Sequence, residues 1–218
     1  MYIDVNGITL YYEKHGSGIP LIMVHCNSMT HSIFNRAVKV LKDHFTVYTL
    51  DSRGHGKSTK VKTLHYEDMA EDVYQFICKL KIEKPIFYGF SDGGIIGLIL
   101  ASEHQDLFSK LIVSGASLSP ESTKEYAMKF FKFWSHIDRS DKMQIMMREP
   151  NITDDMLEKI SVPTYITCGT RDLIKQSHTN HIAEKIKGSK LKIFSGESHS
   201  SYISNSRKIA DYIISVCL

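Results

Sequence analysis

The chain has 218 residues, of which 42% are hydrophobic and 23% are charged. This composition is typical of a globular protein and excludes a disordered or fibrous chain. The length is that of one large domain, which buries enough surface to be stable without a disulfide framework or a structural metal. The formal net charge is only +3, so charge gives no reason to expect a nucleic-acid partner.

The N-terminus, the apolar runs and the cysteines predict a cellular location. The N-terminus contains Asp4 and lacks the basic and apolar regions of a signal peptide. The longest apolar run, residues 95–101, is far too short to span a membrane. The four cysteines are far apart and lack the spacing of zinc ligands: Cys26, Cys78, Cys168 and Cys217. We therefore expect a cytoplasmic protein with reduced thiols, no metal site and no membrane partner.

The first part of the chain alternates strand-like and helix-like segments. Two strands, residues 2–5 and 8–13, flank Asn6-Gly7, a dipeptide that favours a tight hairpin turn. Apolar runs then predict further strands over residues 20–25, 45–50 and 86–90. Helical spacing of apolar side chains predicts helices over residues 33–41 and 66–80. A further helix is predicted over residues 93–101.

The rest of the chain continues this alternation after one interruption. Residues 117–160 contain no convincing strand and predict two or three helices, with Ser119-Pro120-Glu121 and Thr153-Asp154-Asp155 as helix starts. The remaining strands are predicted over residues 111–113, 164–168 and 191–194. The remaining helices are predicted over residues 178–186 and 207–216.

This alternation predicts an α/β protein with a mostly parallel sheet and helices on both faces. Strands that are apolar throughout fit this arrangement, because both faces of such a sheet are buried. We expect one core domain built from residues 1–116 and 161–218. Residues 117–160 are expected to form a small helical cap inserted into that domain.

The segment Gly89-Phe90-Ser91-Asp92-Gly93 fits the pattern Gly-x-Ser-x-Gly. The pattern alone has little specificity, because glycine and serine are common residues. Here, however, an apolar strand ends at Phe90 and a helix begins near Asp92, which is the setting in which a sharp turn exposes a nucleophilic serine. Small residues are needed on either side because the backbone turns tightly. Ser91 is therefore the candidate nucleophile.

Ser91 needs a base to take its proton, and the base needs an acid to orient it. In this architecture the expected order is serine, acid, histidine, with each residue just after a strand. Asp172 follows the second-last predicted strand, and His199 follows the last one. We expect His199 to be the base and Asp172 its orienting acid, with Glu197 and Glu121 as rival acids.

The loop after the predicted strand at residues 20–25 provides the remaining part of a catalytic site. The backbone N–H groups of Asn27 and Asp92 are candidates for holding the oxyanion of a tetrahedral intermediate. A carboxylate at Asp92 that faced this position would repel the negative charge. We therefore expect the Asp92 side chain to point away, with only its N–H taking part.

Five segments in this order resemble the α/β-hydrolase fold family, in particular its single-domain serine hydrolases with a short helical cap. They are His25-Cys26-Asn27-Ser28, Asp51-Ser52-Arg53-Gly54-His55-Gly56-Lys57-Ser58, Gly89-Phe90-Ser91-Asp92-Gly93-Gly94, Gly169-Thr170-Arg171-Asp172 and Glu197-Ser198-His199. The resemblance implies a central sheet of about eight strands, with the second antiparallel, and a Ser91–His199–Asp172 triad. The chain departs from the family at Cys26, where glycine is usual, and in the shortness of its cap.

The predicted cap is rich in aromatic and methionine side chains between residues 121 and 147. We expect most of these side chains to pack the cap against the core. Their number is larger than one apolar stripe on a short helix requires. Some are expected to line an apolar pocket above the nucleophile. The candidate pocket residues are Phe130, Phe131, Trp134 and Met146.

These residues predict a serine hydrolase that cleaves a small, largely apolar carboxylic ester through an acyl-enzyme intermediate. No cofactor is implied, and the expected partner is a small-molecule substrate. Alternatives on the same fold are C–C bond hydrolysis, lyase and perhydrolase chemistry, because a fold does not fix a reaction. A sensor that keeps the triad and binds a small molecule is a further alternative. The oligomeric state and the identity of the substrate stay open.

Overall fold

The computed structural model describes residues 1–218. Its strands are β1 (Tyr2–Val5), β2 (Ile8–His15), β3 (Ile19–Val24), β4 (Phe45–Asp51), β5 (Ile86–Phe90), β6 (Lys110–Ser114), β7 (Thr164–Arg171) and β8 (Lys190–Ser198). Its α-helices are α1 (Asn35–Leu41), α2 (Tyr66–Lys79), α3 (Asp92–Glu103), α4 (Glu125–Ile137), α5 (Asp141–Arg148), α6 (Asp154–Glu158), α7 (Gln176–Lys185) and α8 (Lys208–Cys217). None of these helices is both long and apolar enough to cross a membrane.

All eight strands form one sheet in the order β1-β2-β4-β3-β5-β6-β7-β8. Strand β2 pairs antiparallel with both of its neighbours. Every pair from β4 to β8 is parallel. The predicted fold class is therefore confirmed, including the antiparallel second strand. The C-terminal ends of the parallel strands share one edge of the sheet, where loops of open α/β sheets form binding sites.

Apolar side chains cover the sheet on both faces. On one face, a cluster of 34 buried residues joins the strands to α2, α3 and α7. On the other face, a cluster of 18 buried residues joins them to α1 and α8, with Phe34, Tyr202 and Ile213 fully buried. Two covered faces explain why the parallel strands are apolar throughout, as the sequence indicated.

Helix α3 lies directly on the sheet and is buried along almost its whole length. Two glycines permit this close approach. A Cβ atom on Gly93 would lie 2.1 Å from the backbone oxygen of Val24, and one on Gly97 would lie 2.7 Å from Cε1 of Phe87. The helix that follows the candidate nucleophile is thereby fixed against β3 and β5.

Helices α4, α5 and α6 connect β6 to β7, in the segment for which the sequence predicted two or three helices. We call residues 115–163 the β6–β7 insertion. Helix α4 buries only Ala127, and α5 buries only Ile145. Polar contacts tie α5 to Leu64, whose N–H donates to Asp141 and whose carbonyl accepts from Arg148, each at 2.5 Å. The core therefore holds α5 by polar contacts, whereas the end of the insertion at α6 is held by apolar packing of Leu157 and Ile160.

Candidate active site

Ser91 occupies a strained turn between β5 and α3. Its backbone has φ 52° and ψ −110°, which few residues other than glycine adopt. Its N–H donates to the carbonyl oxygen of Ser114 at 2.8 Å, which ties the turn to β6. A Cβ atom on Gly89 would lie 2.1 Å from the backbone oxygen of Gly93. The glycines of the motif are therefore required by the tightness of the turn, as the sequence predicted.

His199 follows β8 and bonds to the acid expected from the sequence. Its Nδ1 lies 2.7 Å from Oδ1 of Asp172, which also accepts the N–H of Ile174 at 2.9 Å. Asp172 is only 2% exposed. Burial by itself would raise the pKa of Asp172, but the bond to His199 and the backbone N–H groups hold it below its usual value. The carboxylate therefore stays ionised and fixes the orientation of the imidazole.

The two rival acids are occupied elsewhere. Glu197 pairs with Lys208 and accepts the hydroxyl of Ser201 at 2.5 Å. Glu121 is exposed in the β6–β7 insertion. The side chain that bonds to the imidazole of His199 is therefore Asp172.

Gly115 is a site residue that sequence reasoning missed. It follows β6 with φ 59°, and a Cβ atom there would lie 2.8 Å from Cε1 of His199 and 3.4 Å from Oδ2 of Asp172. The space beside the His–Asp pair thus depends on the absence of a side chain at this position. The only available signal was a glycine directly after a strand, which is common in loops of every kind.

The loop after β3 is held by two buried neutral histidines. His25 Nε2 accepts the N–H of Ser52 at 3.0 Å, and its Nδ1 donates to the carbonyl of Cys26 at 2.7 Å. His55 Nε2 accepts the N–H of Ser28 at 3.1 Å. Burial lowers the pKa of both His25 and His55 to about 4, so both rings are neutral near pH 7. This pairing across two loops fixes the backbone next to Asn27.

Cys26, where the resemblance implies glycine, has no positive φ, so its backbone needs no glycine. Ser28 is the residue of this loop with a positive φ, 58°. Burial, followed by the negative charge of Asp92, raises the pKa of the Cys26 thiol to about 12. The thiol is therefore protonated near neutral pH and is a poor nucleophile.

A cavity of about 330 Å³ lies between the sheet and the β6–β7 insertion. Ser91, His199, Asn27 and Asp92 all contribute to its wall. The apolar part of the wall is formed mainly by six side chains: Met29, Phe90, Phe131, Met143, Met146 and Leu173. The structure thus brings the candidate nucleophile, base and oxyanion loop together in one largely apolar cavity.

The predicted pocket residues divide into two pairs. Phe131 and Met146 line the cavity. The prediction is wrong for Phe130 and Trp134, which are 57% and 39% exposed on the outer side of α4. The physical reason is the rotation of α4, which directs Phe131 to the cavity and the aromatic residues beside it to solvent. Phe130 instead lines a separate groove on that outer side.

Asp92 differs from the expectation that its side chain points away from the site. The residue is 6% exposed and lines the cavity, with its carboxyl beside the side chains of Tyr66 and Asn27. Burial raises the pKa of Asp92 to about 6, although Tyr66 and Asn27 partly offset the effect. Its Oδ2 is buried and has no hydrogen-bond partner in the protein. The site therefore contains a carboxyl group that the protein itself leaves incompletely bonded.

Comparison with known proteins identifies the family. The model of the alpha/beta hydrolase fold matches residues 19–142, which is more than half of the chain. The chain belongs to this family. Human "Serine hydrolase BPHL" is 26% identical, in an alignment that covers 92% of this chain and 80% of that protein. The resemblance predicted from the five sequence segments is thus confirmed.

Solved structures agree with this assignment. The esterase EaEST of Exiguobacterium antarcticum superposes with a TM-score of 0.83 at 25% identity, covering 99% of this chain and 98% of that chain. A bromoperoxidase of Bacillus anthracis superposes with a TM-score of 0.86 at 20% identity, covering 98% of each chain. At this level of identity the second likeness concerns the fold alone.

Proposed function

We propose that this alpha/beta hydrolase is a cofactor-independent serine hydrolase that cleaves small carboxylic esters through an acyl-enzyme intermediate. The observation that carries the proposal is the hydrogen-bonded His199–Asp172 pair, whose imidazole lines the same cavity as the strained Ser91 turn. The names of an esterase and a serine hydrolase among the similar proteins support the same reaction class.

In the proposed mechanism, Ser91 Oγ attacks the ester carbonyl while His199 Nε2 takes the hydroxyl proton. Asp172 accepts a hydrogen bond from the Nδ1–H of His199, which leaves Nε2 free to act as the base. The same imidazole then returns the proton to the departing alcohol. A water molecule, activated by His199 in turn, hydrolyses the acyl-enzyme and releases the carboxylic acid.

The oxyanion in this mechanism is held by the backbone N–H groups of Asn27 and Asp92. His25 and His55 support this role by fixing the loop on the Asn27 side. The fixed start of α3 supports it on the Asp92 side. Donors that are held in place before the reaction need no reorganisation when charge develops on the carbonyl oxygen, which is why they lower the barrier.

The proposal is tested with p-nitrophenyl acetate and butyrate and with a fluorophosphonate probe. We expect repeated turnover of both esters, and covalent labelling that Ser91→Ala abolishes. Ser117→Ala is the matched control, because Ser117 lies in the same cavity wall and has no assigned role. Labelling that persists in Ser91→Ala, or a single turnover without product release, contradicts an esterase and favours the sensor alternative.

The carboxyl of Asp92 favours a narrower class of substrate, esters that carry an ammonium group near the scissile carbonyl. A carboxylate in a largely apolar wall attracts a cation more strongly than it would in water. Its buried Oδ2 has no hydrogen-bond partner in the protein, so the protein leaves the negative charge of this carboxylate incompletely compensated. An ammonium group bound there also offsets the repulsion between Asp92 and the developing oxyanion. Asp92 directly follows Ser91, and adjacent Cα atoms are about 3.8 Å apart. An ammonium group bound at the Asp92 carboxyl would therefore lie only a few bonds from the ester carbonyl that Ser91 attacks.

This narrower proposal is tested by comparing L-alanine benzyl ester with benzyl isobutyrate, which replaces the ammonium group by a methyl group. We expect kcat/KM to be higher for the alanine ester than for benzyl isobutyrate. In Asp92→Asn the ratio of the first value to the second should fall at least tenfold, which corresponds to the loss of about 1.4 kcal/mol of binding free energy. Glu149→Gln is the control, because both oxygens of Glu149 are already bonded, to His65 and to the N–H of Tyr66. An equal ratio in the wild-type enzyme contradicts the narrower class and leaves the esterase proposal standing.

A further inference from the structure

A second depression, which we call the outer groove, lies against His199 on the outer side of the β6–β7 insertion. Its volume is about 570 Å³. Phe131, Leu173 and His199 line both the outer groove and the cavity that contains Ser91. Neither Ser91 nor Asp92 belongs to the outer groove. The imidazole of His199 therefore stands at the boundary between two spaces, and only one of them holds the candidate nucleophile and oxyanion loop.

The outer groove has an aromatic wall that nothing in the chain covers. Tyr126 is 64% exposed and Phe130 is 57% exposed, one turn apart on α4. Phe130 contacts Phe131 edge-to-face, with ring centroids 6.1 Å apart. Contiguous exposed apolar side chains beside a groove are a feature of ligand-binding sites. Their edges and faces suit an aromatic or extended apolar ligand.

The far end of the groove is fixed by β7 and β8. Arg171, at the end of β7, donates from Nε to the carbonyl of Gly196 at 2.9 Å. Ser198, at the end of β8, lies beside it in the groove wall. The groove is therefore bounded by strand ends on one side and by α4 on the other.

The proposed reaction relates the two spaces to the two halves of an ester. When the C–O bond breaks, the acyl carbon stays on Ser91 Oγ, and His199 Nε2 gives its proton to the oxygen of the departing alcohol. The acyl half must therefore lie with Ser91 and the oxyanion donors. The alcohol half must leave on the side of the imidazole.

We propose that the outer groove binds the alcohol half of the substrate, and that this half is aromatic or extended and apolar. The inference rests on the proposed esterase function. It assigns Phe130 and Tyr126, which line only the outer groove, to selection of the leaving group, and Met146, which lines only the cavity, to contact with the acyl half.

The test compares ethyl acetate with 2-naphthyl acetate, which share one acyl group. For Tyr126→Ala combined with Phe130→Ala, we expect the ratio of kcat/KM for the naphthyl ester to that for the ethyl ester to fall about tenfold. Phe133→Ala is the matched control, because Phe133 is an equally exposed aromatic residue on α4 that does not line the groove. It should leave the ratio unchanged. A ratio that is unchanged in the double variant, or that falls equally in Phe133→Ala, overturns the proposal.

A binding measurement decides the proposal even if no ester is turned over. Trp134 is the single tryptophan of the chain, and its ring centroid lies 6.0 Å from that of Phe130. We expect 2-naphthol to quench its fluorescence saturably in Ser91→Ala, after correction with free N-acetyltryptophanamide, and the double variant to weaken this binding about tenfold. Absence of saturable quenching, or quenching that the double variant does not affect, contradicts the groove assignment. Failure of the esterase assays alone contradicts only the reaction.

Discussion

Asp172 bonds to His199, whereas Glu197, only two residues from His199 in the chain, bonds to Lys208 and Ser201 instead. Because Asp172 bonds to Nδ1, we expect Asp172→Asn to present the wrong tautomer to Ser91 and to lower kcat by about 10⁴-fold. Glu197→Gln breaks only a contact with Lys208 and Ser201 and should keep kcat within a few-fold. Steady-state kinetics on p-nitrophenyl butyrate measures both. Greater damage from Glu197→Gln would mean that Glu197 is the acid.

The carboxyl of Asp92 predicts a pH-dependent effect on stability. Its pKa is about 6 in the folded protein, against 3.8 for an unperturbed aspartate. The unfolded chain therefore loses this proton at lower pH, and ionisation costs the folded state on the order of 3 kcal/mol above pH 6. We expect Asp92→Asn to raise the free energy of unfolding at pH 8. The gain should shrink as the pH falls from 6 towards 4, in urea titrations at each pH. A gain that is independent of pH would contradict the raised pKa.

Cys26 gives a prediction about the departure from the family pattern. The thiol is protonated and the loop is held by His25 and His55, so neither chemistry nor backbone requires cysteine here. Cys26→Gly should therefore keep kcat/KM within about tenfold, a change of about 1.4 kcal/mol in the barrier. A thousandfold loss, with an unchanged circular dichroism spectrum, would show that the thiol takes part in the reaction.

The roles of single residues could be predicted where they follow from the order of strands and loops along the chain. Ser91, Asp172 and His199 each come after a strand, so their approach at one edge follows from a parallel sheet. Gly115 and His55 act through contacts between distant segments, with His199 and with Ser28. No local pattern encodes such contacts, and sequence reasoning therefore missed both residues.

Helix α5 is attached to the core by polar contacts of Arg148 and Asp141 with Leu64. The guanidinium of Arg148 bonds to Asp141 and to the carbonyl of Leu64. We expect Arg148→Ala to destabilise the protein by about 1–3 kcal/mol, as for loss of hydrogen bonds to a charged group. Amide exchange should increase in α5 more than in α3. Lys129→Ala is the control, because Lys129 pairs with Glu125 on a fully solvated surface and should change stability by less than about 0.5 kcal/mol. Uniform acceleration of exchange would show that α5 does not open independently.

The helices and strands were predicted with bounds close to those observed, because continuous apolar runs mark the buried strands and an apolar stripe marks helices such as α2. The spacing of apolar residues says less about which face of a helix packs against the rest of the protein. In α4 the apolar side chains outnumber the positions that face the core, and the pattern does not distinguish Phe131 from Trp134. The assignment of Phe130 and Trp134 to the cavity failed for this reason.

One buried ion pair links distant parts of the molecule. Arg53, after β4, bonds through Nε and Nη2 to both oxygens of Asp72 in α2, each at 2.6 Å. Asn6, in the turn between β1 and β2, bonds to the same carboxylate at 3.1 Å. Arg53 also donates from Nη1 to the half-exposed carboxylate of Asp68 at 2.9 Å. Asp72→Asn therefore removes the buried partner and leaves the exposed one, so it should lower the free energy of unfolding by about 1–3 kcal/mol, as for loss of hydrogen bonds to a charged group. Urea denaturation measures this loss. A loss below about 0.5 kcal/mol would mean that the pair with Asp68 alone is enough for Arg53.

The position of the β6–β7 insertion has a consequence for synthesis of the chain on the ribosome. Six of the eight strands, β1 to β6, are adjacent in the sheet and are complete by Ser114, whereas β7 begins only at Thr164. Translation at about 5–20 residues per second therefore leaves the apolar edge of β6 without its partner for several seconds. An open strand edge of this kind is a template for pairing with other chains. The nascent protein is thus most prone to aggregate in this interval, when a chaperone that shields β6 would increase the yield most.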